Sequence, residues 1–324
     1  MRVALMFVAS CRGVSWGPLA ERAIAKVEAD IAGGARLLVV PTPLGEATDV
    51  SFRGIAALER CDVVACEDTR KAGALLAAVG VERKGKELER HDAATARASA
   101  ARLVARMREG KVVALTSDAG TPGVSDPGST LVRETSAAGL KVVALPGPCA
   151  ATVAFSATGF DAARGFCFLG FAPRKTSKLE SVLAEAALRP VVLYESPKRV
   201  AATVGALADL DAEREVVVAR ELTKTHQEVY RGTLGEARDW LSSAGRARGE
   251  FTIVLDAGVA AAAGAAVDEE GDLLPLAARL LGARRAAGQP LAVAAKAVAV
   301  DLDLPKSVVY GLAAAAPRRR PPTT

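Results

Sequence analysis

Carboxylates, hydroxyls and glycines are concentrated in three polar stretches that each follow a short apolar run. The longest is Ser117–Gly128, with two aspartates, two serines and three glycines; the others are Pro41–Asp49 and Pro146–Ala150. Glycine and proline stop a strand or a helix from continuing, so each stretch is predicted to be a loop at a strand end. Such loops offer backbone N–H groups and carboxylates at the sheet edge where α/β proteins bind ligands.

Several common catalytic and binding motifs do not occur. No G-x-G-x-x-G follows a strand pattern, and there is no G-x-x-x-x-G-K-[ST] phosphate loop. Ser125 lacks a G-x-S-x-G setting, and neither His91 nor His226 stands in a context that suggests a catalytic triad. Without a Cys/His cluster, no metal site is predicted. Dinucleotide binding and serine-hydrolase chemistry are therefore poorly supported.

The elements that position these loops alternate in type through the first half. Apolar strand patterns cover residues 36–41, 61–66, 111–116 and 141–145, and helical patterns cover 50–59, 71–79, 93–109 and 130–137. Asp49 is the predicted N-cap of the first of these helices, and residues 81–92 look irregular. This alternation predicts right-handed βαβ units and a parallel sheet. The three loops should then meet at one edge.

The second half of the chain has a different order of predicted strands and helices. Strand patterns at 166–171, 191–194, 215–219, 229–234 and 251–255, with a helical pattern at 179–188, predict a mixed sheet. The fold class is α/β, in two domains. The predicted divisions are an atypical extension (1–35), a first α/β domain (36–148), a second (149–256), a linker (257–272), a helical module (273–316) and a disordered basic tail (317–324).

Bulk composition narrows the class of protein. The 324 residues carry a formal net charge of +5, which suits a polyanionic partner. Five cysteines, an odd number without a C-x-x-C pair, indicate free thiols in a reducing cytoplasm. No apolar stretch approaches the roughly 18 residues needed to cross a bilayer, so no membrane association is expected.

Nine motifs in order carry a resemblance to a known family. They are Leu38–Gly45 with Asp49, Glu67–Arg70, Ser117–Gly128, Leu145–Pro148, Phe171–Lys175, Tyr194–Arg199, Arg220–Lys224, Arg231–Gly232 and Gly249–Phe251. Together they resemble the bacterial small-subunit (16S) ribosomal RNA (cytidine-2'-O)-methyltransferases of the tetrapyrrole methylase superfamily. The resemblance covers about residues 36–256. Small departures occur at Pro41, Glu46, Cys149 and Lys198.

The resemblance implies an S-adenosylmethionine (SAM)-dependent methyltransferase acting on a ribose 2'-hydroxyl. It also implies two α/β domains around a cleft, a homodimer, and 16S rRNA or the 30S subunit as partner. Methyl transfer from a sulfonium requires no metal. Carried over motif by motif, the expected cofactor-binding residues are Pro41, Thr42, Pro43, Gly45, Ser117, Asp118, Ala119, Gly120, Thr121, Val124, Ser125, Pro146, Gly147, Pro148 and Ala150.

Removal of the ribose hydroxyl proton calls for a positioned base, typically worth about 10²–10⁴-fold in rate. The candidates are Glu67, Asp68, Asp118, Asp126 and Glu195, with Lys224 as a further one. We rank Asp68 and Glu67 first because they end a predicted strand. Asp118 is expected to contact the cofactor or shape its loop. Structural alternatives remain open: helix capping by Asp68, a turn at Asp126, and the ion pairs Glu67–Arg70 and Glu195–Arg199.

Basic residues cluster in the motifs that follow the strands. A phosphate-binding track would comprise Arg70, Arg174, Lys175, Lys198, Arg199 and Arg220, with Lys224 nearby. Such a track predicts RNA affinity that falls steeply with salt, whereas a merely solvated charged face would not. Two other functions stay open: a methylase acting on a tetrapyrrole precursor such as uroporphyrinogen, and a non-catalytic RNA-binding assembly factor.

Overall fold

The computed structural model describes residues 17–163, 165–186, 189–242, 248–257, 274–286, 289–302 and 304–315. Its contacts divide the chain into two compact units. The first runs to Val153 and includes the short segment Leu222–Thr225; the second takes the remainder from Ala154 onward. The division thus falls five residues after the boundary predicted at Pro148.

The first unit is built on a fully parallel five-stranded sheet. Its strands are β1 (Ala35–Val39), β2 (Val63–Cys66), β3 (Glu87–Arg90), β4 (Val113–Leu115) and β5 (Lys141–Ala144). They lie in the order β3-β2-β4-β1-β5. Leu115 at the end of β4 is in register with Val39 on one side and Ala65 on the other. The carboxyl ends of these three central strands therefore meet at one edge, as the alternating pattern predicts.

Helices cover both faces of this sheet, which explains why its central strands β1, β2 and β4 are largely apolar and buried. They are α1 (Gly17–Ala32), α2 (Phe52–Arg60), α3 (Thr69–Ala78), α4 (Ala96–Arg108) and α5 (Ser129–Ala137). A further helix, α6 (Ala150–Ser156), begins in the first unit and ends in the second. Alternate strand residues face opposite cores: Leu38 and Val64 pack on α2 and α3, while Leu37 and Val63 pack toward α4.

The structure adds a helix to one predicted segment and corrects two other local expectations. The segment treated as an atypical extension contains helix α1, whose Ala23 and Val27 are buried in the core beside α2. Residues 87–90, expected to be irregular, form the edge strand β3, whose exposed ends leave little apolar pattern to detect. The N-cap of α2 is Ser51, which accepts the Gly54 N–H at 3.0 Å, and not Asp49.

The second unit contains the mixed sheet that its sequence predicts. Its strands are β6 (Cys167–Phe171), β7 (Val191–Glu195), β8 (Glu215–Arg220), β9 (Glu228–Thr233) and β10 (Phe251–Leu255). Their order is β6-β7-β10-β8-β9, with β6 and β7 parallel and the other pairs antiparallel. Helices α7 (Leu179–Ala186), α8 (Val200–Leu210) and α9 (Leu234–Ser242) pack on this sheet around a buried aliphatic core.

Three further helices form a small cluster with its own core. They are α10 (Leu274–Ala286), α11 (Leu291–Asp301) and α12 (Lys306–Ala315), and they bury Leu280, Val298 and Val309 together. The predicted linker beyond Ala257 and the predicted basic tail lie outside the described residues. Within the described part of the chain, no helix combines the length and apolarity that a bilayer crossing demands.

Candidate active site

The three polar loops meet at the carboxyl edge of the first sheet. Thr42 and Gly120 exchange backbone hydrogen bonds in both directions, at 2.9 and 3.0 Å. The Thr42 hydroxyl also donates to the Ser117 carbonyl at 3.1 Å, and the Thr121 hydroxyl donates to the Pro148 carbonyl at 2.7 Å. These bonds join the loops after β1, β4 and β5 directly, so the predicted convergence of the three loops is confirmed.

Close backbone approaches require glycine in two of the loops. A Cβ at Gly147 would overlap the ring of Pro41. A Cβ at Gly45 would overlap the Lys224 side chain and lie 3.2 Å from its backbone nitrogen. The Glu46 N–H donates to the Thr223 hydroxyl at 3.2 Å. Lys224 therefore belongs to the first unit's loop cluster, although it is remote in sequence.

Backbone strain marks two of the loop segments. Ser125 has φ 65°, and Thr223 has φ 62°. Left-handed conformations are uncommon for residues with a side chain and cluster at functional sites when the surrounding structure enforces them. The strain at Ser125 falls in the longest loop, immediately before Asp126. Both segments therefore have the character of functional rather than incidental turns.

A cleft of about 290 Å³ opens beside these loops. This volume is close to the lower end of the range for small-molecule sites, roughly 300–1,000 Å³. Five of the predicted cofactor-binding residues line it, namely Thr42, Pro43, Gly45, Ser117 and Asp118. The others lie in the same three loops without lining the cleft: Pro41, Ala119, Gly120, Thr121, Val124, Ser125, Pro146, Gly147, Pro148 and Ala150.

Helix α3 supplies a wall of the cleft that the sequence analysis did not identify. Its lining residues are Lys71, Ala72, Ala74, Leu75 and Ala78, and Asp68 lies at its start. Small alanines let a ligand approach the helix closely while keeping the surface apolar. The apolar residues that follow the Glu67–Arg70 motif indicate a helix. Their pattern does not distinguish a face that contacts a ligand from a face that packs in the core.

A set of carboxylates joins the ends of β2 and β4. The Asp118 N–H donates to Glu67 Oε1 at 3.1 Å, and the Asp68 N–H donates to Asp118 Oδ1 at 3.2 Å. Lys71 Nζ donates to Asp118 Oδ2 at 2.8 Å. Each carboxylate thus holds the backbone of the other strand end, and Asp118 shapes its loop while also lining the cleft.

Asp68 caps helix α3. Its carboxylate accepts the Arg70 N–H at 2.9 Å and makes two bonds to the Arg70 guanidinium, at 3.1 and 2.7 Å. The side-chain bonds to Arg70, followed by the backbone bond, hold the pKa of Asp68 well below its usual range. An anion stabilised in this way is a poor proton acceptor, so the geometry favours the capping interpretation over a role as base.

Glu67 and Asp126 are in the opposite electrostatic situation. Burial raises the pKa of Glu67 above its ordinary value, and the nearby Asp118 charge adds to the rise. Burial, and then the charge of Glu67, raise the pKa of Asp126 to about 7, while a hydrogen bond with Ser117 opposes the rise. Two carboxyls that disfavour each other's ionisation are typical of acid–base sites. Asp126, which the sequence offers both as a candidate base and as a turn residue, shares a hydrogen bond with Ser117 of the cleft wall and therefore stays a candidate base.

Glu195 is a structural residue of the second unit. Its side chain is fully buried and accepts the Ser196 N–H at 2.7 Å and the Thr203 hydroxyl at 2.7 Å. Arg199 Nη2 lies 2.9 Å from Glu195 Oε2 and also donates to the Ala172 and Pro173 carbonyls. With its oxygens enclosed and partnered, Glu195 has no opening toward a substrate, which supports the ion-pair alternative.

The predicted phosphate-binding residues fall into two groups. Arg174, Lys175 and Lys198 are exposed. Arg220 is mostly buried, pairs with Glu228 at 2.7 Å and donates to the Arg248 carbonyl at 2.7 Å, so that it is tied into the sheet as Arg199 is. Arg70 has a side chain 89% exposed despite its pairing with Asp68. The exposed group remains suited to phosphates, whereas Arg199 and Arg220 serve the fold.

No metal-binding constellation is found within the described ranges: no three His, Cys, Asp or Glu side chains are arranged to hold an ion. Burial and the surrounding carboxylates raise the pKa of the Cys66 thiol, which lines the cleft, to about 12. Cys66 is therefore a neutral thiol at ordinary pH and a small apolar contact for a ligand.

Solved structures similar to this chain support the fold. The methyltransferase CobJ matches with a TM-score of 0.53 and 21% identity, over 69% of this chain and 95% of CobJ. Diphthine synthase matches with a TM-score of 0.52 and 17% identity, over 68% of this chain and 90% of that one. At these identities the similarity concerns the fold alone.

Proteins found by sequence similarity have higher identities to this chain than these solved structures. A protein named ribosomal RNA small subunit methyltransferase I from Mycobacterium tuberculosis is 44% identical over 223 residues, 68% of this chain and 77% of the relative. Its namesake from Neisseria meningitidis serogroup B is 38% identical over 238 residues, 72% of this chain and 80% of the relative. Residues 36–238 match the family described as Tetrapyrrole (Corrin/Porphyrin) Methylases. The chain belongs to the tetrapyrrole methylase family.

Proposed function

We propose that this chain is a SAM-dependent methyltransferase that modifies the 2'-hydroxyl of a cytidine ribose in small-subunit (16S) ribosomal RNA. The acceptor is supported by relatives named ribosomal RNA small subunit methyltransferase I, which are 37–44% identical to this chain. The donor is supported by the cleft at the carboxyl edge of the first sheet. That cleft is the single structural observation on which the proposal rests most heavily.

The chemistry of the cleft fits SAM. The cofactor combines an adenine ring, ribose hydroxyls, a sulfonium cation and an amino-acid group. The alanine wall of α3 provides apolar surface, Asp68 and Asp118 provide anionic acceptors, and Lys71 provides a cation. The Thr42 and Ser117 loop backbones are fixed by their mutual hydrogen bonds. We propose that these residues hold SAM, which supplies an electrophilic methyl group to an oxygen nucleophile.

The residues of this chain then have two tasks, orientation and proton removal. Holding two reactants in alignment can contribute about 7–11 kcal/mol to lowering the barrier. We propose that Asp126, which shares a hydrogen bond with Ser117 of the cleft wall, accepts the proton of the ribose hydroxyl. Its pKa of about 7 suits a general base that works near neutral pH. Asp68 supplies fixed negative charge at the cleft, and Lys224 positions the Gly45 loop through its side-chain packing.

The acceptor is expected to bind through phosphates. We propose Arg174, Lys175 and Lys198 of the second unit as phosphate contacts, and Arg70 of the first unit as a separate phosphate contact. A substrate in ribosomal RNA, within a 30S subunit, implies a cytoplasmic protein, and we retain the homodimer as part of the proposal.

A direct assay distinguishes this function from its competitors. The purified chain would be incubated with methyl-labelled SAM and, separately, with 30S subunits from a strain lacking the modification, with free 16S rRNA, and with uroporphyrinogen. Label in 2'-O-methylcytidine supports the proposal. Label in uroporphyrinogen alone would support the tetrapyrrole-precursor methylase. RNA binding without measurable SAM binding by calorimetry would support an assembly factor.

A further inference from the structure

An exposed aromatic side chain stands at the end of the edge strand β6. Phe171 is 57% exposed, which is unusual for so large an apolar side chain. Its ring lies edge-on to Tyr194 with a centroid distance of 5.9 Å, and Tyr194 makes a second such contact with Phe168 at 4.7 Å. The Phe171 ring is thus supported from within the protein, while much of its surface faces solvent.

A β-bulge sets the direction of Phe171. Along β6 and β7, Phe168 pairs with Val192 but Phe171 pairs with Tyr194, so one strand advances three residues while the other advances two. Gly170, at φ 70°, takes the conformation that the bulge needs. Bulges are common where a strand must re-aim a side chain. The exposure of Phe171 therefore follows from a specific backbone feature and not from a frayed strand end.

The segment after Phe171 is fixed against the end of β7. The Ala172 N–H donates to the Tyr194 carbonyl at 3.0 Å, and Arg199 donates to the Ala172 and Pro173 carbonyls at 2.9 and 3.2 Å. Arg199 is in turn held by the buried Glu195. These bonds connect the segment that contains Arg174 and Lys175 to the segment that contains Lys198. All three of those side chains are exposed.

The combination of a supported aromatic face and exposed cations selects one kind of occupant. A base stacked on an aromatic side chain, with phosphates near Lys or Arg, is the usual arrangement for unpaired nucleic acid. A second copy of this chain would bring the same positive charges to the surface, which repel one another. An apolar peptide would gain nothing from them. Charge complementarity therefore favours a polyanion that carries planar rings.

We propose that Phe171, supported by Tyr194, stacks on an unpaired base of the ribosomal RNA substrate, and that Arg174, Lys175 and Lys198 contact the adjoining phosphates. This inference rests on the proposed function for the identity of the RNA. It goes beyond that function by assigning a base-stacking site, located in the second unit, to a residue that a basic track alone would not include.

The binding test uses 30S subunits and a fluorescent single-stranded oligoribonucleotide of mixed sequence. Phe171→Ala is expected to weaken binding of both probes by about 5- to 100-fold, the usual effect of losing one stacked base, without changing SAM affinity. Leu169→Ala is the matched control, since Leu169 is 42% exposed on the same strand; it should change binding less than about twofold. Equal loss in both variants would overturn the proposal.

Two more variants separate stacking from simple apolar contact. Phe171→Trp should keep RNA affinity, and RNA should quench the fluorescence of the new indole beyond the change seen in the wild-type protein. Phe171→Leu should lose affinity as Phe171→Ala does. Full affinity in Phe171→Leu, an unquenched indole, or a Phe171→Ala protein that has become monomeric would each contradict base stacking.

These measurements stand apart from the test of the proposed function. They read RNA binding and indole fluorescence, not methyl transfer. If no rRNA is methylated but the stacking pattern is observed, the proposed activity fails and the stacking site stands. If rRNA is methylated but Phe171→Ala binds RNA as the wild type does, the stacking site fails alone.

Discussion

The backbone N–H of Asp118 donates to the carboxylate of Glu67 at 3.1 Å, which joins the loop after β4 to the end of β2. This bond fixes the position of a carboxylate that is already partly removed from water. Burial first, and then neighbouring acids, raise the pKa of Glu67, and the Glu67 charge in turn helps to raise that of Asp126. The loop proposed to hold the methyl donor and the group proposed to take the proton are therefore linked through Glu67.

The pH dependence of methyl transfer tests the role of Asp126. Its carboxyl must be ionised to accept a proton, so kcat should rise with pH and reach half its maximum near pH 7, the pKa of Asp126. Asp126→Asn should lower kcat by about 10²–10⁴-fold with SAM affinity unchanged. Single-turnover assays across the pH range would measure both. An Asp126→Asn enzyme with wild-type kcat and pH profile removes Asp126 from the mechanism.

The Glu67→Gln variant tests the electrostatic coupling between Glu67 and Asp126. The amide oxygen of glutamine can still accept the Asp118 N–H, but the negative charge is lost. The pKa of Asp126 should then fall, because the Glu67 charge, the largest cause of the rise after burial, is gone. The midpoint of the pH–rate profile should move to lower pH, while SAM affinity changes little. A midpoint that stays in place would show that Glu67 and Asp126 do not titrate as coupled groups.

Stability should also depend on Asp126, with a defined sign. Its pKa rises from 3.8 in the unfolded chain to about 7 in the folded protein, so the native state binds the proton more tightly. The contribution of this group to stability is therefore full below about pH 4 and is lost as pH rises through 7. Asp126→Asn should gain stability relative to the wild type between pH 5 and 8, as measured by urea unfolding. The opposite trend would contradict the raised pKa.

Gly147→Ala tests whether SAM binding requires the close approach of the Pro146–Ala150 loop to the Pro41–Asp49 loop. The new Cβ would overlap the Pro41 ring, which cannot rotate away. Overpacking costs about 1–3 kcal/mol, so SAM affinity should fall by about 5- to 100-fold if the loops shape the cofactor site. Gly205→Ala is the control, since its nearest neighbour, Arg238 Cδ, would be 4.0 Å away. Calorimetry that finds equal affinities in the two variants would separate the Pro146–Pro148 loop from SAM binding.

Glu195→Ala should reduce stability rather than catalysis. Removing it leaves Arg199 and the Thr203 hydroxyl without their buried acceptor. We expect a loss of about 3 kcal/mol, at the lower end for breaking a buried pair because Arg199 is partly exposed. Asp209→Ala, which breaks an exposed pair with Arg238, should cost less than about 1 kcal/mol. A Glu195→Ala protein with wild-type stability but lost methyl transfer would restore Glu195 as a catalytic residue.

The sequence was most informative where local patterns coincide with the fold. The parallel order of the first sheet follows from short buried strands separated by helices, and the loop edge follows from that order. The sequence did not predict helix α1 or strand β3, because neither has a distinctive pattern. Helix α1 buries only the small residues Ala23 and Val27. Strand β3 has three charged residues among its four, and its two ends are exposed. Both are held by tertiary packing, which a local reading of residues does not see.

The sequence predicts which residues form the site, but not the role of each residue. The three loops and Asp118 were identified from glycine, proline and carboxylate spacing. Which carboxylate is poised as a base depends on burial and on distances between loops that are remote in sequence, as for Asp126 and Glu67. The same applies to the enclosed Glu195 and to Lys224, which packs on Gly45 although the two residues are far apart in the sequence.

The central claim is tested most directly by locating the methyl group that the purified protein transfers. Unmodified 30S subunits would be treated with methyl-labelled SAM, and the 16S rRNA digested to nucleosides and analysed by mass spectrometry. We expect label in 2'-O-methylcytidine at a single position, and loss of that label with the Asp126→Asn variant. Label on a base, or none in RNA while uroporphyrinogen is labelled, would contradict it.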